Sequence, residues 1–369
     1  LTIDIPLREA VARRMVAYGA PGKGSYTIGA VPEGDGVVWD CTEVGHSPLT
    51  LGNMLPVVWL GSWQRGLTFF ARNNQGWAHA GTPDQQVLRR DGRVILRLNI
   101  IQEPVTLEGD RQIEFGFMPT PMRRMVPGWR MRYLHFKQNF HQYTWDRNAS
   151  LQPHQYVDSR RTMFRNTRRI ITRPLGGQEQ VPHTERGSYR SRTFNRKLKR
   201  YFGPEWSANT WTRSFQDYQL YLIQRWIEEG GMTGIYHDQF YPYPMNNTIT
   251  GAAWVLPDGR TNRGYNMLKD RRFNQREHAI YLENGIKPRI FCHTTNGGQL
   301  ISYPWVTAIL DGEANPIKAG ADYDFCDLYP PERMQAYGNP WNWGNTFYWM
   351  RLFDDGSREW TRRQNRTYE

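Results

Sequence analysis

The sequence has no long hydrophobic run. Its longest apolar stretches, such as residues 54–60, fall well short of the ~20 residues that a helix needs to cross a bilayer, so no transmembrane segment is expected. Cysteine is scarce, with only Cys41, Cys292 and Cys326 in 369 residues. An odd number cannot form a fully paired disulfide framework, and the three show no metal-ligand spacing; buried free thiols are expected, with no metal or other cofactor. Internal repeats and low-complexity segments are also missing, as are helix-turn-helix, zinc-finger and RNP-type motifs, so nucleic acid is not an expected partner. Carboxylates are in the minority, 35 against 47 Lys and Arg, which leaves a formal charge of +12.

The surplus is unevenly spread. Arginine is concentrated between Arg123 and Arg200, notably Arg160-Arg161, Arg165, Arg168-Arg169, Arg190, Arg192 and Arg196. Such a segment is either a solvated helix and loop surface or a surface for an anionic ligand, and the sequence leaves both open. The remaining composition is that of a soluble globular protein: a mean hydropathy of −0.73 with plentiful Gly, Pro, Trp and Tyr. The length leads us to expect two domains, each able to bury a core. Residues 1–5 already read as strand, and the chain is expected to have been trimmed of a signal peptide or of further N-terminal sequence.

Residues 1–125 read as an antiparallel β-sandwich. Short strand-like runs at 37–39, 57–60, 66–70, 94–101 and 113–118 are separated by Gly, Pro and Asp turns. The run 93–100 alternates well enough to bury one face, and Asp91-Gly92 before it is a strong hairpin turn. The texture changes around Pro119-Thr120-Pro121 and Pro127-Gly128, which places the domain boundary there. From 126 to 369 strands alternate with helices: strands at 129–136, 170–172, 233–237, 289–292, 308–310 and 346–352, and helices at 214–229 and 268–284. Alternation of this kind means parallel βα units, closed into a barrel or left as an open doubly wound sheet.

In parallel α/β folds chemistry collects at the carboxyl ends of strands. Three strand-like runs end in polar side chains: Gly234 to His237 followed by Asp238 and an aromatic loop with Tyr241; Ile290 to His293 followed by Thr294, Thr295 and Asn296; and Ile309-Leu310-Asp311-Gly312-Glu313. Period-two geometry would put Asp311 and Glu313 on one face. Glycosidic cleavage needs a general acid and a second carboxylate acting as nucleophile, base or stabiliser, and Asp238, Asp311 and Glu313 meet that need. The plainer alternative is that Asp238 caps a turn and Asp311-Gly312 is itself a turn. His237 and His293 suit hydrogen bonding to substrate or simple satisfaction at strand ends better than metal ligation, since no third ligand accompanies them. Trp254, Trp305, Tyr241, Tyr243, Trp341 and Trp343 are available for stacking on sugars, although most tryptophans are expected in the core.

A family resemblance joins these features. Trp59-Leu60-Gly61-Ser62, Arg65-Gly66-Leu67-Thr68-Phe69-Phe70, Gln75-Gly76-Trp77, Phe115-Gly116-Phe117 and Thr120-Pro121-Met122-Arg123 resemble the β-sandwich, and its exit into a barrel, of bacterial glycoside hydrolase domain proteins related to family 123. The later segments GIYHD, HTTN and ILDGE are similar to that group in the same order. The resemblance implies an N-terminal antiparallel β-sandwich followed by a (β/α)8-like barrel, and glycoside hydrolysis of a polysaccharide or glycan, expected to be retaining. It implies carboxylates at the ends of strands four and six; the roles expected here are Asp238 as nucleophile or stabilising base, Glu313 as general acid and Asp311 fixing Glu313 or a sugar hydroxyl, with His237, Tyr241, His293, Asn296, Trp254 and Trp305 expected to bind substrate. The rival assignment gives Asp311 the orientation of an acetamido group. Family members use an adjacent Asp-Glu pair where this chain has Asp311-Gly312-Glu313, so their substrate-assisted mechanism does not carry across. The expected partner is a carbohydrate, neutral or anionic, and the expected location is secreted, periplasmic or cell-surface. The alternative is a non-catalytic carbohydrate-binding or cell-surface protein on the same scaffold.

Overall fold

A computed structural model of the chain describes residues 1–20, 25–44, 53–106, 109–125, 190–191, 194–195, 200–201, 205–206, 212–230, 234–237, 244–245, 248–294, 300–311 and 330–349. The expected strands at 129–136 and 170–172, most of the arginine-rich segment and Cys326 lie outside them.

The N-terminal region is two antiparallel sheets built from β1 (Thr2–Arg8), β2 (Arg14–Ala20), β3 (Ser25–Ala30), β4 (Gly36–Asp40), β5 (Val57–Gly61), β6 (Gly66–Phe70), β7 (Gln85–Arg90), β8 (Arg93–Asn99) and β9 (Gly116–Thr120). One sheet runs β1-β8-β7-β4 and the other β3-β2-β5-β6-β9. Asp91 and Gly92 both take positive φ, 52° and 67°, the pairing required by a two-residue type I′ hairpin between β7 and β8. In β8, Val94, Leu96 and Leu98 are buried in the core, while Arg97 pairs in register with Asp4 and holds its carboxylate at 2.7 and 2.8 Å. The strand is buried more completely than the expected alternation, since Ile95 and Asn99 on the Arg97 face are buried as well. Hydrophobic pattern alone did not find β2, β3 and β7. The first and last of these are interrupted by arginine, glycine or glutamine, and they exist because neighbouring strands complete their ladders.

Strand β5 is buried along its whole length because both faces are covered. Val58 and Leu60 alternate with Val57 and Trp59, and on the second side the Trp59 indole meets Trp343 at 5.5 Å between ring centroids. Tyr18 on β2 likewise meets Tyr337, 6.1 Å away. One hydrophobic core thus runs through both sheets and on into Tyr265, Met267, Ile301, Ala336, Tyr337 and Trp343.

The second region centres on a four-stranded sheet, β10 (Ile235–His237), β11 (Ile290–His293), β12 (Ala308–Asp311) and β13 (Thr346–Trp349). All neighbours are parallel, and spatial order equals chain order. Helix α1 (Arg213–Gly230) precedes β10, α2 (Met267–Glu283) connects β10 to β11, and α3 (Pro331–Tyr337) and α4 (Pro340–Trp343) precede β13. Leu220, Ile223 and Ile227 of α1 and Phe273 and Tyr281 of α2 pack with Ile235, Ile290, Cys292 and Ile309. The opposite face is also dry, since Phe291, His293 and Leu310 are buried. Burial on both faces is why these strands read as near-continuous apolar runs. Cys41 and Cys292 are buried, and burial pushes the Cys41 thiol up to about 12. No helix among the described residues is long and apolar enough to cross a membrane.

Candidate functional site

Three adjacent strands of the parallel sheet end on polar residues at one edge. His237 closes β10, His293 closes β11 and Asp311 closes β12, with His237 level with Cys292 and His293 level with Leu310. Adjacent strands lie about 4.8 Å apart, so β10 and β12 run about 10 Å apart, with Asp311 two residues further along than His237. The Thr294 amide donates to the Leu310 carbonyl at 2.8 Å, which ties the chain leaving β11 to the end of β12. Asp238, Tyr241, Asn296 and Glu313 lie outside the described residues, and for Asp311 the backbone alone is described.

The two histidines point to opposite faces. His293 is buried on the face that carries Phe291, where Phe291 meets Tyr348 edge-on at 5.8 Å. His237 lies on the helix-covered face, and its Nε2 donates to both oxygens of Glu277, at 3.0 and 2.9 Å. Both partners are fully buried, and the Phe273 ring stands edge-on to the imidazole at 6.0 Å. Here His237 is a satisfied strand-end residue within the helix–sheet packing. Its partner was hidden from pattern reasoning because the buried stripe of α2 is largely polar: Asp270, Asn274, Glu277 and Tyr281 recur at helical spacing alongside Met267 and Phe273. Nearby Glu277 and burial together hold the Tyr281 phenol well above its usual range, burial being the larger cause.

The connection from β10 to α2 leaves the carboxyl edge and carries two small ladders, Pro244–Met245 with Gly264–Tyr265 and Trp254–Val255 with Thr261–Asn262. Trp254 is half-buried there, and its Nε1 is buried with no hydrogen-bond partner among the described residues. The connection is fastened to the N-terminal region. Asn73 donates to the Ala252 carbonyl at 2.7 Å, Asn262 donates to Asn74 Oδ1 at 2.6 Å, and the Tyr265 amide donates to the Arg72 carbonyl at 2.7 Å. Behind Asn74 stands His79, whose Nδ1 contacts Asp84 Oδ1 at 2.6 Å while Nε2 contacts Asn74 Nδ2 at 3.1 Å. Asp84 is also held by the Asn53 amide and the Gln102 carboxamide. The sequence reading missed this network; its signal was the tandem Asn73-Asn74 followed by His79 and Asp84 around a Gly-Thr-Pro turn. It acts as a brace for the carboxyl-edge connection.

Trp305 is not brought to that edge. It precedes β12, at the amino ends of the strands, and the Arg271 guanidinium lies over its ring at 4.7 Å. Its carbonyl accepts from His278 Nδ1 at 3.1 Å, and burial lowers the His278 pKa. Beside it Arg123 donates to the carbonyls of Gly344, at 3.0 Å, and Val306, and burial pushes its pKa down to about 10. Trp305 therefore belongs to the amino-edge joint between the two regions. Among the described residues no group of three or more His, Cys, Asp or Glu could hold a metal ion. No protein-family model matches the chain, and no curated protein matches it in sequence.

Proposed function

We propose that the protein is a glycoside hydrolase that cleaves a polysaccharide or glycan by carboxylate chemistry at the carboxyl edge of the parallel sheet. The observation that carries this reading is that β10, β11 and β12 lie side by side in chain order, all parallel, and end at one edge of the sheet on His237, His293 and Asp311, each one residue further along than the last. Asp238 is the next residue after β10, and Glu313 follows β12 by two. Both follow strands that leave the sheet at the same edge, where parallel α/β enzymes carry their chemistry. Asp238 then serves as nucleophile or stabilising base and Glu313 as general acid, with Asp311 fixing Glu313 or a sugar hydroxyl. Sequential parallel strands are also what one arc of a (β/α)8 barrel presents, and the preceding sheets correspond to a β-sandwich. A secreted, periplasmic or cell-surface location follows from a polymeric substrate.

The test is reducing-sugar release from a panel of neutral and acidic polysaccharides. Asp238→Asn and Glu313→Gln should each remove turnover while circular dichroism stays unchanged. Full activity in both variants would falsify the assignment.

A further inference from the structure

Large aromatic side chains seldom stand in water, yet Trp63 is 55% exposed and Trp341 43% exposed. Their backbones are joined by one side chain. Asn339 Nδ2 donates to the Trp63 carbonyl at 2.5 Å, and its Oδ1 accepts from the Trp341 amide at 3.0 Å. Asn342 adds a second clamp, donating to the Ser62 carbonyl at 2.8 Å. Trp63 sits in the turn between β5 and β6, closed by the Ser62 amide on the Arg65 carbonyl at 2.7 Å. The two glycines flanking that turn are packed against Trp59, so the turn is seated on the core. Two exposed indoles are thus carried on short, braced segments that are fixed to each other.

Charge and area narrow what such a pair could take. Arg13, whose amide donates to the Gly61 carbonyl at 2.9 Å, and Arg65 are both exposed. Neither forms an ion pair among the described residues. The exposed surface of the two indoles is on the order of 200 Å², taking roughly 200 Å² for each tryptophan side chain. A stable protein partner needs about 800 Å² on each side. That area suits one or two flat rings, and guanidinium groups favour carboxylate or sulfate oxygens.

We propose that Trp63 and Trp341, braced by Asn339, form a surface binding site for pyranose rings of an acidic polysaccharide, with Arg13 and Arg65 meeting its carboxylate or sulfate groups. The choice of a polysaccharide over a single-stranded nucleic acid, which also stacks on exposed aromatics, rests on the glycosidase reading. The site is distinct from the proposed reaction centre. Trp341 lies in α4, immediately before β13, and the Thr346 amide that opens β13 donates to the Thr307 carbonyl, so the platform is at the amino edge. The bound polymer would be held on the face away from the carboxyl edge.

The test is native gel electrophoresis of the full chain through gels containing alginate, chondroitin sulfate or hydroxyethyl cellulose, with oligo-dT as competitor. Binding to alginate or chondroitin sulfate is expected, with Trp63→Ala and Trp341→Ala each weakening it at least tenfold. Trp63→Phe should restore part of the affinity, and Arg13→Gln/Arg65→Gln should weaken binding and flatten its salt dependence. Turnover of a small soluble glycoside should be unchanged in all of these. Loss of turnover in the unaltered chain with polymer binding intact would refute the glycosidase reading alone. The surface-site proposal is overturned by binding to neither acidic polymer, by binding that survives removal of both indoles, by tighter binding of oligo-dT, or by self-association that disappears in Trp63→Ala.

Discussion

Gly66→Ala tests how the turn between β5 and β6 is built. A Cβ at position 66 would lie 2.5 Å from Trp59 Nε1, 2.7 Å from Trp59 Cε2 and 2.6 Å from the Leu60 carbonyl oxygen. The carbonyl belongs to the β5–β6 ladder, in which Leu60 pairs with Leu67 and Gly61 with Gly66, so it cannot retreat without breaking pairing. The indole is fully buried against Trp343 and has little room to move. Overpacking a core site typically costs about 1–3 kcal/mol. If the ring shifts, the bond from Trp59 Nε1 to Thr120 Oγ1 at 3.1 Å is lost as well, at about 1 kcal/mol. Alanine also restricts the unfolded chain, which offsets about 0.4–1 kcal/mol. The expected net loss is about 1–3 kcal/mol, read from urea unfolding followed by far-ultraviolet circular dichroism. In a Trp59→Leu background the ring is gone, and Gly66→Ala should cost about 1–2 kcal/mol less than it does in the unaltered chain. A neutral or stabilising Gly66→Ala, or an equal cost with and without the indole, refutes the reasoning.

Arg123→Ala should lower stability by about 2–4 kcal/mol in the same assay, because two carbonyls lose a charged donor, partly offset by no longer burying the guanidinium. Arg123→Met, which keeps most of the volume without the charge, should recover part of that loss. Glu277→Ala should cost about 3–5 kcal/mol by leaving His237 without its acceptor, and Glu277→Gln distinctly less because the amide oxygen still accepts; equal losses would sink the pairing as the cause. His278 supplies a pH prediction. Burial holds its pKa below the usual 6.5, so as pH falls through 6.5 the unfolded chain takes up its proton before the folded chain does. The stability this group contributes is present above about pH 6.5 and is lost on acidification down to its folded pKa. Melting temperatures measured between pH 7.5 and 5.5 should decline less steeply in His278→Gln.

Local rules go far in this chain where chemistry is local. Asp91-Gly92 specifies its hairpin because few residues accept positive φ twice in succession. The two long helices, Arg213–Gly230 and Met267–Glu283, fall within a residue of their expected bounds, the first as its apolar spacing and terminal glycine require. The strands of the parallel sheet were also legible as short apolar runs ending in polar side chains. Their parallel orientation was legible from the alternation with helices, but their spatial order was not, because no local signal tells whether the crossovers close a barrel or wind an open sheet.

For the candidate site the division is sharper. The sequence by itself determined which residues end the strands: His237, His293 and Asp311. Only the tertiary structure decided that His237 turns to the helices and is held by Glu277, forty residues away, while His293 takes the opposite face. It also decided that Arg271 lies over Trp305 at the amino edge, and that the backbones of Trp63 and Trp341 are joined through Asn339. The physical reason is the same in each case. A side chain's type and its place along a strand are properties of the local backbone, whereas its burial and its partner depend on which distant segment packs against it.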